Sequence, residues 1–263
     1  MLRIGKKLAS LSSVRKALRI LESFSPDQPE LGVTQISTIL KSHKSSVFRV
    51  LTTLTSEGFV EKNPLTNKYR LGLKLVDLGN RVLNRYDLRD HAGPFMEELA
   101  KRTDEIIHLS ILDGNEIVYL DKKGEGQTLT VATKIGGRSP AHACAMGKVL
   151  LSGLSSEQLA SVFALGPLTK LTPKTITTMP RLLEELERVR KRGYAVDDEE
   201  SFPGIRCVAA PLFDSSGTCV AAISATVPKQ RMGQKRMRGI RKRVIVTARL
   251  ISKRIEGGRR GQL

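Results

Sequence analysis

Apolar residues recur at helical spacing in three stretches of the N-terminal third of the chain. These stretches span residues 13–24, 34–40 and 44–57, with two prolines between the first and the second and a short polar turn before the third. Two short apolar segments, 59–60 and 69–71, then flank a turn-rich sequence, which predicts a β-hairpin. Helix, turn, second helix and hairpin follow one another in the order of a winged helix-turn-helix.

An apolar seam follows the hairpin. Positions 71, 75, 78, 82 and 86 predict a linker helix that pairs with a second chain or docks on a neighbouring domain, and Gly93-Pro94 predicts its end. The remaining sequence predicts helices over 94–103, 143–153, 155–163, 180–192 and 234–256, and strands over 106–112, 116–122, 128–134, 205–213 and 218–227. Short turns join neighbouring strands, so at least part of the sheet is expected to be antiparallel.

Lysine and arginine are concentrated at the two ends of this 263-residue chain, whose formal net charge is +18. Residues 1–92 hold 16 Lys and Arg against 8 Asp and Glu, residues 229–263 hold 13 against 1, and the segment between them is slightly acidic. Segregated positive charge attracts phosphate backbones through the release of counterions. A solvated basic face and an anionic membrane surface are the two alternatives, and we favour the solvated face for the C-terminal helix.

The third helical stretch has the composition of a DNA-reading helix. Its inward face carries Val47, Val50, Leu51 and Leu54. The opposite face offers short polar groups and an arginine, which suit base edges, while the cations of the hairpin suit phosphates. The predicted DNA-binding residues are Lys44, Ser45, Ser46, Phe48, Arg49, Thr52, Lys62, Lys68 and Arg70.

Several longer motifs resemble the IclR family of bacterial regulators, and together they extend over almost the whole chain. Residues 44–61, KSSVFRVLTTLTSEGFVE, are similar to the family's recognition helix and the start of its wing. Residues 138–151, RSPAHACAMGKVLL, resemble its effector-domain signature, as do RGYAVDDEE at 192–200 and GIRCVAAP at 204–211. The sequence AAIS at 221–224 fits the strand that closes the same site.

This resemblance implies an α+β fold with an N-terminal winged helix-turn-helix domain, a linker helix and a C-terminal α/β effector domain whose sheet is mainly antiparallel and GAF-like. The expected segments are a basic arm over 1–12, the winged helix-turn-helix over 13–73, the linker helix over 74–92, an effector-binding and oligomerisation domain over 93–257, and a tail over 258–263. It further implies a transcriptional regulator, a homodimer or dimer of dimers, that binds palindromic double-stranded operator DNA. The lack of a membrane-spanning apolar run and of signal-peptide features favours a cytoplasmic protein. No cofactor, metal or enzymatic activity is expected.

The resemblance also implies a small-molecule effector, which we expect to be a carboxylate metabolite of a catabolic pathway. The family's ligand positions correspond here to Ala145, Met146, Asp197, Ile205, Cys207, Ser224 and Thr226. Backbone N–H groups at the start of a helix hold a carboxylate well, and hydroxyl and apolar groups suit the rest of a small ligand. Asp197 would repel an anion unless it is protonated or accepts a hydrogen bond from a ligand hydroxyl.

Two regions depart from the family pattern. Ser37, Lys41 and Ser42 stand at the helix-turn-helix corner, where the family has a small apolar residue, a glycine and an apolar residue, so we expect this corner to pack differently. The C-terminal helix is also far more basic than the family pattern leads one to expect.

Other classes of function receive little support. A non-specific architectural DNA-binding protein is the main alternative, and a small-molecule-binding enzyme with a structural helix-turn-helix is a weaker one, because the standard catalytic motifs are absent. His142 and the three cysteines are expected to pack rather than to bind metal, and the acids at 197–200 to form a solvated turn. His108 is expected to be half-buried. No apolar run is long enough to span a membrane, and the N-terminus lacks the features of a signal peptide.

Overall fold

The computed structural model describes residues 12–84, 88–124 and 133–258. The chain divides between residues 85 and 86 into two compact units. The α-helices are α1 Ser12–Glu22, α2 Val33–Leu40, α3 Lys44–Ser56, α4 Lys74–Asn84, α5 Leu88–Thr103, α6 Ala145–Ser152, α7 Ser156–Phe163, α8 Met179–Arg192 and α9 Gln234–Gly258. The strands are β1 Val60–Lys62, β2 Tyr69–Leu71, β3 Ile106–Asp113, β4 Glu116–Lys123, β5 Arg138–Pro140, β6 Ala195–Asp198, β7 Ile205–Phe213 and β8 Cys219–Pro228.

The first unit is a small bundle of α1, α2 and α3 followed by the antiparallel hairpin of β1 and β2. Its core is a single apolar cluster that combines all three helices with the hairpin: Ile20, Leu31, Ile36, Leu40, Val47, Leu51, Leu54, Val60 and Tyr69. The 3.6-residue period of α3 predicts which of its residues face inward. The structure buries these residues, Val50 only partly. The predicted winged helix-turn-helix is confirmed.

The corner between α2 and α3 accommodates the unusual residues Lys41 and Ser42. Lys41 adopts the left-handed conformation, with φ 49° and ψ 50°. The backbone N–H of Ser42 donates to the carbonyl of Ser37 over 3.0 Å. The buried hydroxyl of Ser37 donates to the carbonyl of Thr34 over 2.8 Å. The corner is therefore a hydrogen-bonded turn whose atypical feature is a side chain at a position that favours glycine.

The second unit is built on a six-stranded sheet in the order β5-β4-β3-β8-β7-β6, and every pairing of its neighbouring strands is antiparallel. Helices α5 and α9 pack on each other and on the sheet. Helices α6, α7 and α8 share a separate apolar cluster with sheet residues such as Ala209 and Ala222. The predicted mainly antiparallel sheet in an α+β fold is confirmed.

Some predicted elements differ from the structure. Gly93-Pro94 does not end a helix but lies within α5. Burial of the face that contains Ala92, Met96 and Leu99 compensates for the hydrogen bond that a proline removes, a loss of about 3 kcal/mol. Strands β5 and β6 were not predicted, because segments of three and four residues are too short for an alternating pattern. Most of the strand predicted at 128–134 falls outside the described residues.

The predicted seam along the linker is only partly covered over its described positions, and position 86 lies outside the described residues. Leu71 and Val82 are exposed, and Leu75 and Leu78 are half-buried. Across the described residues, the helices are all too short or too polar to cross a membrane.

Candidate functional site

The outer face of α3 presents polar side chains to solvent. Lys44, Ser45, Arg49 and Thr52 are exposed, as is Phe48, while Ser46 is half-buried. These residues lie on the face opposite the buried residues of α3. No ion pair to another described residue engages Arg49. The helix thus presents an unpaired cation and short polar groups to an external partner, although the Thr52 hydroxyl also donates to the Phe48 carbonyl over 3.0 Å.

The hairpin forms a stiff wing beside this helix. Glu61 and Arg70 face each other across β1 and β2 and form an ion pair of 3.0 Å. Lys62 and Lys68 are exposed and have no such partner among the described residues. Glu30 accepts hydrogen bonds from the side chains of two turn residues, which lowers its pKa and fixes the turn. Arg70 is therefore less available to a phosphate than Lys62 or Lys68.

The first helix contributes a cation that the sequence did not single out. The Lys16 Nζ atom donates to the Ser46 Oγ atom over 2.6 Å and joins α1 to the outer face of α3, the predicted recognition face. Lys16, Ser46 and Arg49 line one shallow groove between α1 and α3. The sequence shows Lys16 as a basic residue of α1, but only the packing of α1 against α3 places it in the same groove as Arg49.

A cavity in the second unit brings together all seven predicted ligand positions. The empty space among its lining atoms amounts to about 380 Å³ when open solvent is included, and the centres of water-sized molecules can occupy about 30 Å³ of it. Beyond the predicted residues, its lining includes His108, Tyr119, Thr133, Cys144, Ser201 and Phe202. No lysine or arginine occurs among the described lining residues. The cavity is consequently lined by neutral polar and apolar groups, with Asp197 as its acid.

The N-terminus of α6 forms one wall of this cavity through Ala145 and Met146. Cys144 precedes the helix, and its Sγ atom accepts a hydrogen bond of 3.4 Å from the Gly147 backbone N–H. The first amides of a helix have no partner within it, so those of Ala145 and Met146 remain outside the helix's own ladder. Gly147 is required here because a Cβ atom would lie 2.1 Å from the carbonyl oxygen of Ala141. The close packing of α6 fixes an amide cluster suited to an anion.

His108 lies on β3, lines the cavity and is buried. Its two ring nitrogens contact the hydroxyls of Thr133, at 2.7 Å, and Thr226, at 3.2 Å. Its ring also packs edge-on against Tyr119, with 5.3 Å between centroids. Burial, with a smaller contribution from the charge of Lys122, lowers the pKa of His108 to about 3. The imidazole is therefore neutral at physiological pH and supplies hydrogen bonds rather than charge.

Asp197 organises the loop that closes the cavity. Its carboxylate accepts hydrogen bonds from the Ser201 hydroxyl and from the Glu200 backbone N–H, the latter over 2.6 Å. The side chain is fully buried, and burial raises its pKa despite these bonds. Beneath the loop, the buried Lys148 Nζ atom donates to Glu200 Oε1 over 2.5 Å and to the Val196 carbonyl over 2.6 Å. Asp197 and Glu200, the first and last of the four acids at 197–200, therefore stabilise the loop through buried hydrogen bonds.

Comparison with known proteins places these two sites in one family. Residues 80–253 match the model of the bacterial transcriptional regulator IclR C-terminal domain, and residues 13–64 match the IclR helix-turn-helix domain. The chain is 37% identical to the HTH-type transcriptional regulator XynR of Escherichia coli over 235 residues, which cover 89% of this chain and 93% of XynR. The chain belongs to the IclR family.

Solved structures of IclR proteins share the fold of this chain. The Thermotoga maritima IclR superposes with a TM-score of 0.77 at 31% identity, over 92% of this chain and 98% of that one. An IclR homolog from Microbacterium hydrocarbonoxydans, solved in complex with 4-hydroxybenzoate, gives a TM-score of 0.81 at 26% identity, over 93% of this chain and 99% of that one. This IclR-family chain is a transcriptional regulator with an effector-binding domain, and its relatives are regulators rather than enzymes.

Sequence reasoning about this IclR protein erred on two points around the cavity. The acids at 197–200 do not form a solvated turn, because Asp197 and Glu200 are buried and hydrogen-bonded within the loop. His108 is fully rather than half-buried and lines the cavity. An isolated histidine between apolar strand residues signals burial, but the pairing of β3 with β8 is what brings it to Thr226.

Metal binding finds no support in the described part of this IclR protein, where no group of three or more His, Cys, Asp or Glu side chains is placed to hold an ion. His142 is buried, and its ring nitrogen contacts the Thr169 carbonyl at 3.0 Å. Burial raises the pKa of the Cys144 and Cys219 thiols to about 12. The pKa of Cys207 is raised for the same reason. These thiols are protonated at physiological pH, and those of Cys144 and Cys207 line the cavity.

Proposed function

We propose that this regulator binds a palindromic operator in the cytoplasm through α3 and the wing, and that a small hydroxylated monocarboxylate controls its binding. The residues over 13–73 read the DNA, and those over 93–257 hold the effector. The observation that carries the proposal is the cavity at the N-terminus of α6, where all seven predicted ligand positions meet and where the described lining residues include no cation.

The chemistry of the cavity supports a single negative charge on the effector. The free amides of Ala145 and Met146 and the positive end of α6 stabilise one carboxylate. A second acid group or a phosphate would meet Asp197, and no lysine or arginine among the described lining residues offers it an ion pair. Ser224, Thr226 and the neutral His108 suit ligand hydroxyls. The 4-hydroxybenzoate bound to the Microbacterium homolog has this combination of one carboxylate and one hydroxyl.

The DNA-binding residues we propose are those predicted from α3 and the wing: Lys44, Ser45, Ser46, Phe48, Arg49, Thr52, Lys62, Lys68 and Arg70. A gel-shift with the upstream region of the protein's own gene tests this proposal. Arg49→Ala should weaken the specific shift by about 1–3 kcal/mol, because an arginine contact to a base is worth that much. Arg188→Ala is the matched control, since Arg188 lies on α8 in ion pairs with Glu184 and Glu185.

Two results would contradict the DNA-binding proposal. One is an unchanged specific shift for folded Arg49→Ala. The other is equal affinity for the upstream region and for a random duplex of the same length, which would favour the architectural alternative.

Thermal unfolding tests the effector class. We expect 4-hydroxybenzoate or an aldonic acid to raise the melting temperature with concentration, and the matching amide and diacid to have little effect. Ser224→Ala should reduce the shift, whereas the exposed Ser216→Ala should not. Equal stabilisation by an acid and its amide would contradict the carboxylate assignment.

Exposed apolar residues of the first unit support a homodimer or a dimer of dimers. Val14 and Leu18 on α1 are more than half exposed, as are Val76 and Val82 on α4. Helices with an apolar face normally bury it against a partner. We propose that these faces pair between two copies and so set the distance between the two recognition helices. A chain that sediments as a monomer at micromolar concentration would contradict this arrangement.

A further inference from the structure

The C-terminal helix α9 has one face that is apolar and buried and an opposite face that is basic and exposed. One face is buried against the sheet and α5 through Ile240, Val244, Ala248, Ile251 and Ile255. The opposite face carries five exposed cations, which we call the α9 stripe: Lys235, Arg238, Lys242, Arg249 and Lys253. At 3.6 residues per turn they fall within about 60° of arc and extend over about 27 Å.

The stripe lacks the acidic partners that other helices of this chain provide. Helix α8 pairs its cations with glutamates one turn away, as in Arg188–Glu184 and Lys191–Glu187. Helix α5 does the same with Lys101 and Glu97. None of the five stripe cations has an acidic group within 4.0 Å among the described residues, and α9 contains a single acid, Glu256.

This arrangement costs stability in the isolated chain. Arg238 and Lys242 are four residues apart, as are Arg249 and Lys253, and like charges at this spacing destabilise a helix by about 0.2–0.5 kcal/mol per pair. A solvated face that only confers solubility would gain from interspersed acids, as α8 does. The uncompensated repulsion therefore indicates an external polyanion that offsets it.

The start of α9 is fixed to the rest of the second unit. Arg236 donates to the buried Glu105 Oε1 atom over 2.6 Å, and Arg231 lies 3.4 Å from the same oxygen. Tyr194 accepts a hydrogen bond of 2.9 Å from Arg241. These contacts use the cations beside the stripe and hold the helix in place, so the stripe is a preformed line of charge.

Duplex DNA suits this line better than a membrane does. A membrane-bound helix inserts an apolar face, but the apolar face of α9 is already buried in the protein, and only Val246 and Leu250 are exposed apolar residues of α9. The DNA backbone offers one negative charge per about 1.7 Å of duplex axis, dense enough to meet every cation of the stripe. We propose that the α9 stripe binds the phosphate backbone of duplex DNA without sequence preference, as a second contact beyond the recognition helix. The proposal rests on the proposed DNA-binding function.

Salt-dependent binding of the full-length protein to a random-sequence duplex of about 40 base pairs tests this proposal. The stripe variant replaces all five cations with glutamine: Lys235→Gln, Arg238→Gln, Lys242→Gln, Arg249→Gln and Lys253→Gln. A control variant with the same loss of charge replaces five acid-paired cations: Arg81→Gln, Lys101→Gln, Arg102→Gln, Arg188→Gln and Lys191→Gln. Fluorescence anisotropy between about 50 and 200 mM salt gives the affinity and its slope.

We expect the stripe variant to lose about 0.9 in the slope of log affinity against log salt for each contact removed, and about tenfold or more in affinity at low salt. The control variant should keep most of both. Equal slopes for the two variants would overturn the proposal. The stripe variant should unfold at the same temperature as the wild type or higher, which verifies that it is folded, and Lys242→Gln/Arg249→Gln provides a milder second test.

Two further measurements separate this proposal from its competitors. Sedimentation with phosphatidylcholine vesicles, with and without phosphatidylglycerol, overturns it if the stripe is needed for vesicle binding but not for DNA binding. The specific shift with the upstream region depends on Arg49, so its failure contradicts the proposed operator binding. If the proposed DNA contact of the α9 stripe is wrong, the Arg49-dependent specific shift is still expected. The experiments therefore distinguish failure of this proposal from failure of the proposed operator binding.

Discussion

The two units of this regulator arrange their polar side chains in opposite ways. The recognition face of α3 leaves Arg49 and Thr52 exposed, and their loss removes no buried contact. Around the cavity, polar groups such as Asp197 and His108 are buried and already hydrogen-bonded within the protein. Substitutions on the exposed face of the first unit, here called the head, should therefore change binding with little change in stability, whereas substitutions around the cavity should change both.

We attribute this difference to the ligands that we propose for the two sites. A duplex is larger than the protein surface that reads it, so the head needs only exposed groups on a rigid helix. A small molecule is enclosed by its site, and the protein must build the enclosing wall from buried polar residues that satisfy one another. The predictions that follow test this contrast, beginning with the largest expected effect.

The strongest test of the cavity's supporting structure is Lys148→Met. The substitution keeps most of the side-chain volume but leaves Glu200 buried without its cation and the Val196 carbonyl without its donor. Breaking a buried ion pair from one side costs about 3–5 kcal/mol, so we expect a loss of this size in the free energy of unfolding of the second unit. Urea unfolding followed by circular dichroism measures it.

Lys191→Met is the control for this substitution, because Lys191 forms an ion pair with Glu187 on the exposed side of α8. It should change the free energy of unfolding by less than about 0.5 kcal/mol. Adding Glu200→Gln to Lys148→Met should recover part of the loss. A double variant no more stable than the single one would show that the unpaired charge is not the cause.

The pH dependence of stability gives a second test through His108. Its pKa falls from 6.5 to about 3 on folding, so only the unfolded chain takes up a proton between these values. The stability that this residue contributes is complete above pH 6.5 and is lost as the pH falls towards 3. From pH 7 to pH 5 the wild type should lose about 2 kcal/mol more than His108→Asn. Parallel stability curves for the two proteins would contradict a neutral buried His108.

The same contrast explains how much could be predicted from the sequence. The fold of the head could be predicted almost completely from the sequence. Buried residues such as Val47 and Leu51 repeat at the helical period of 3.6 residues, and the exposed recognition face is the side of α3 opposite to them. The seven cavity positions came from resemblance to a family rather than from a pattern. His108 and Thr133 could not be found, since they reach the cavity only through strand pairing and loop packing far apart in sequence.

Two glycines within helices extend the comparison to the backbone. In Gly147→Ala the new Cβ atom meets the Ala141 carbonyl oxygen at 2.1 Å, and the required backbone shift should cost about 1–3 kcal/mol. Gly239→Ala adds the same methyl group to the exposed side of α9, where nothing lies within 4 Å. It should stabilise the protein by up to about 1 kcal/mol. Thermal unfolding of both variants measures the difference, and two shifts of the same sign would contradict the tight packing of α6.

Lys41→Gly is the most specific test and is expected to have the smallest effect. It tests whether the stability of the head can change without a change in DNA binding. Lys41 has a positive φ at the corner before α3, a conformation that glycine adopts without steric cost. We expect the substitution to stabilise the first unit by about 0.5–1 kcal/mol. Lys41→Ala removes the same charge but keeps the strain, so it should give no such gain. Equal unfolding temperatures for Lys41→Gly and Lys41→Ala would show that only the loss of charge matters and that the corner is not strained. If Lys41→Gly stabilises the head while leaving the Arg49-dependent shift in place, the recognition face acts independently of the corner that positions it.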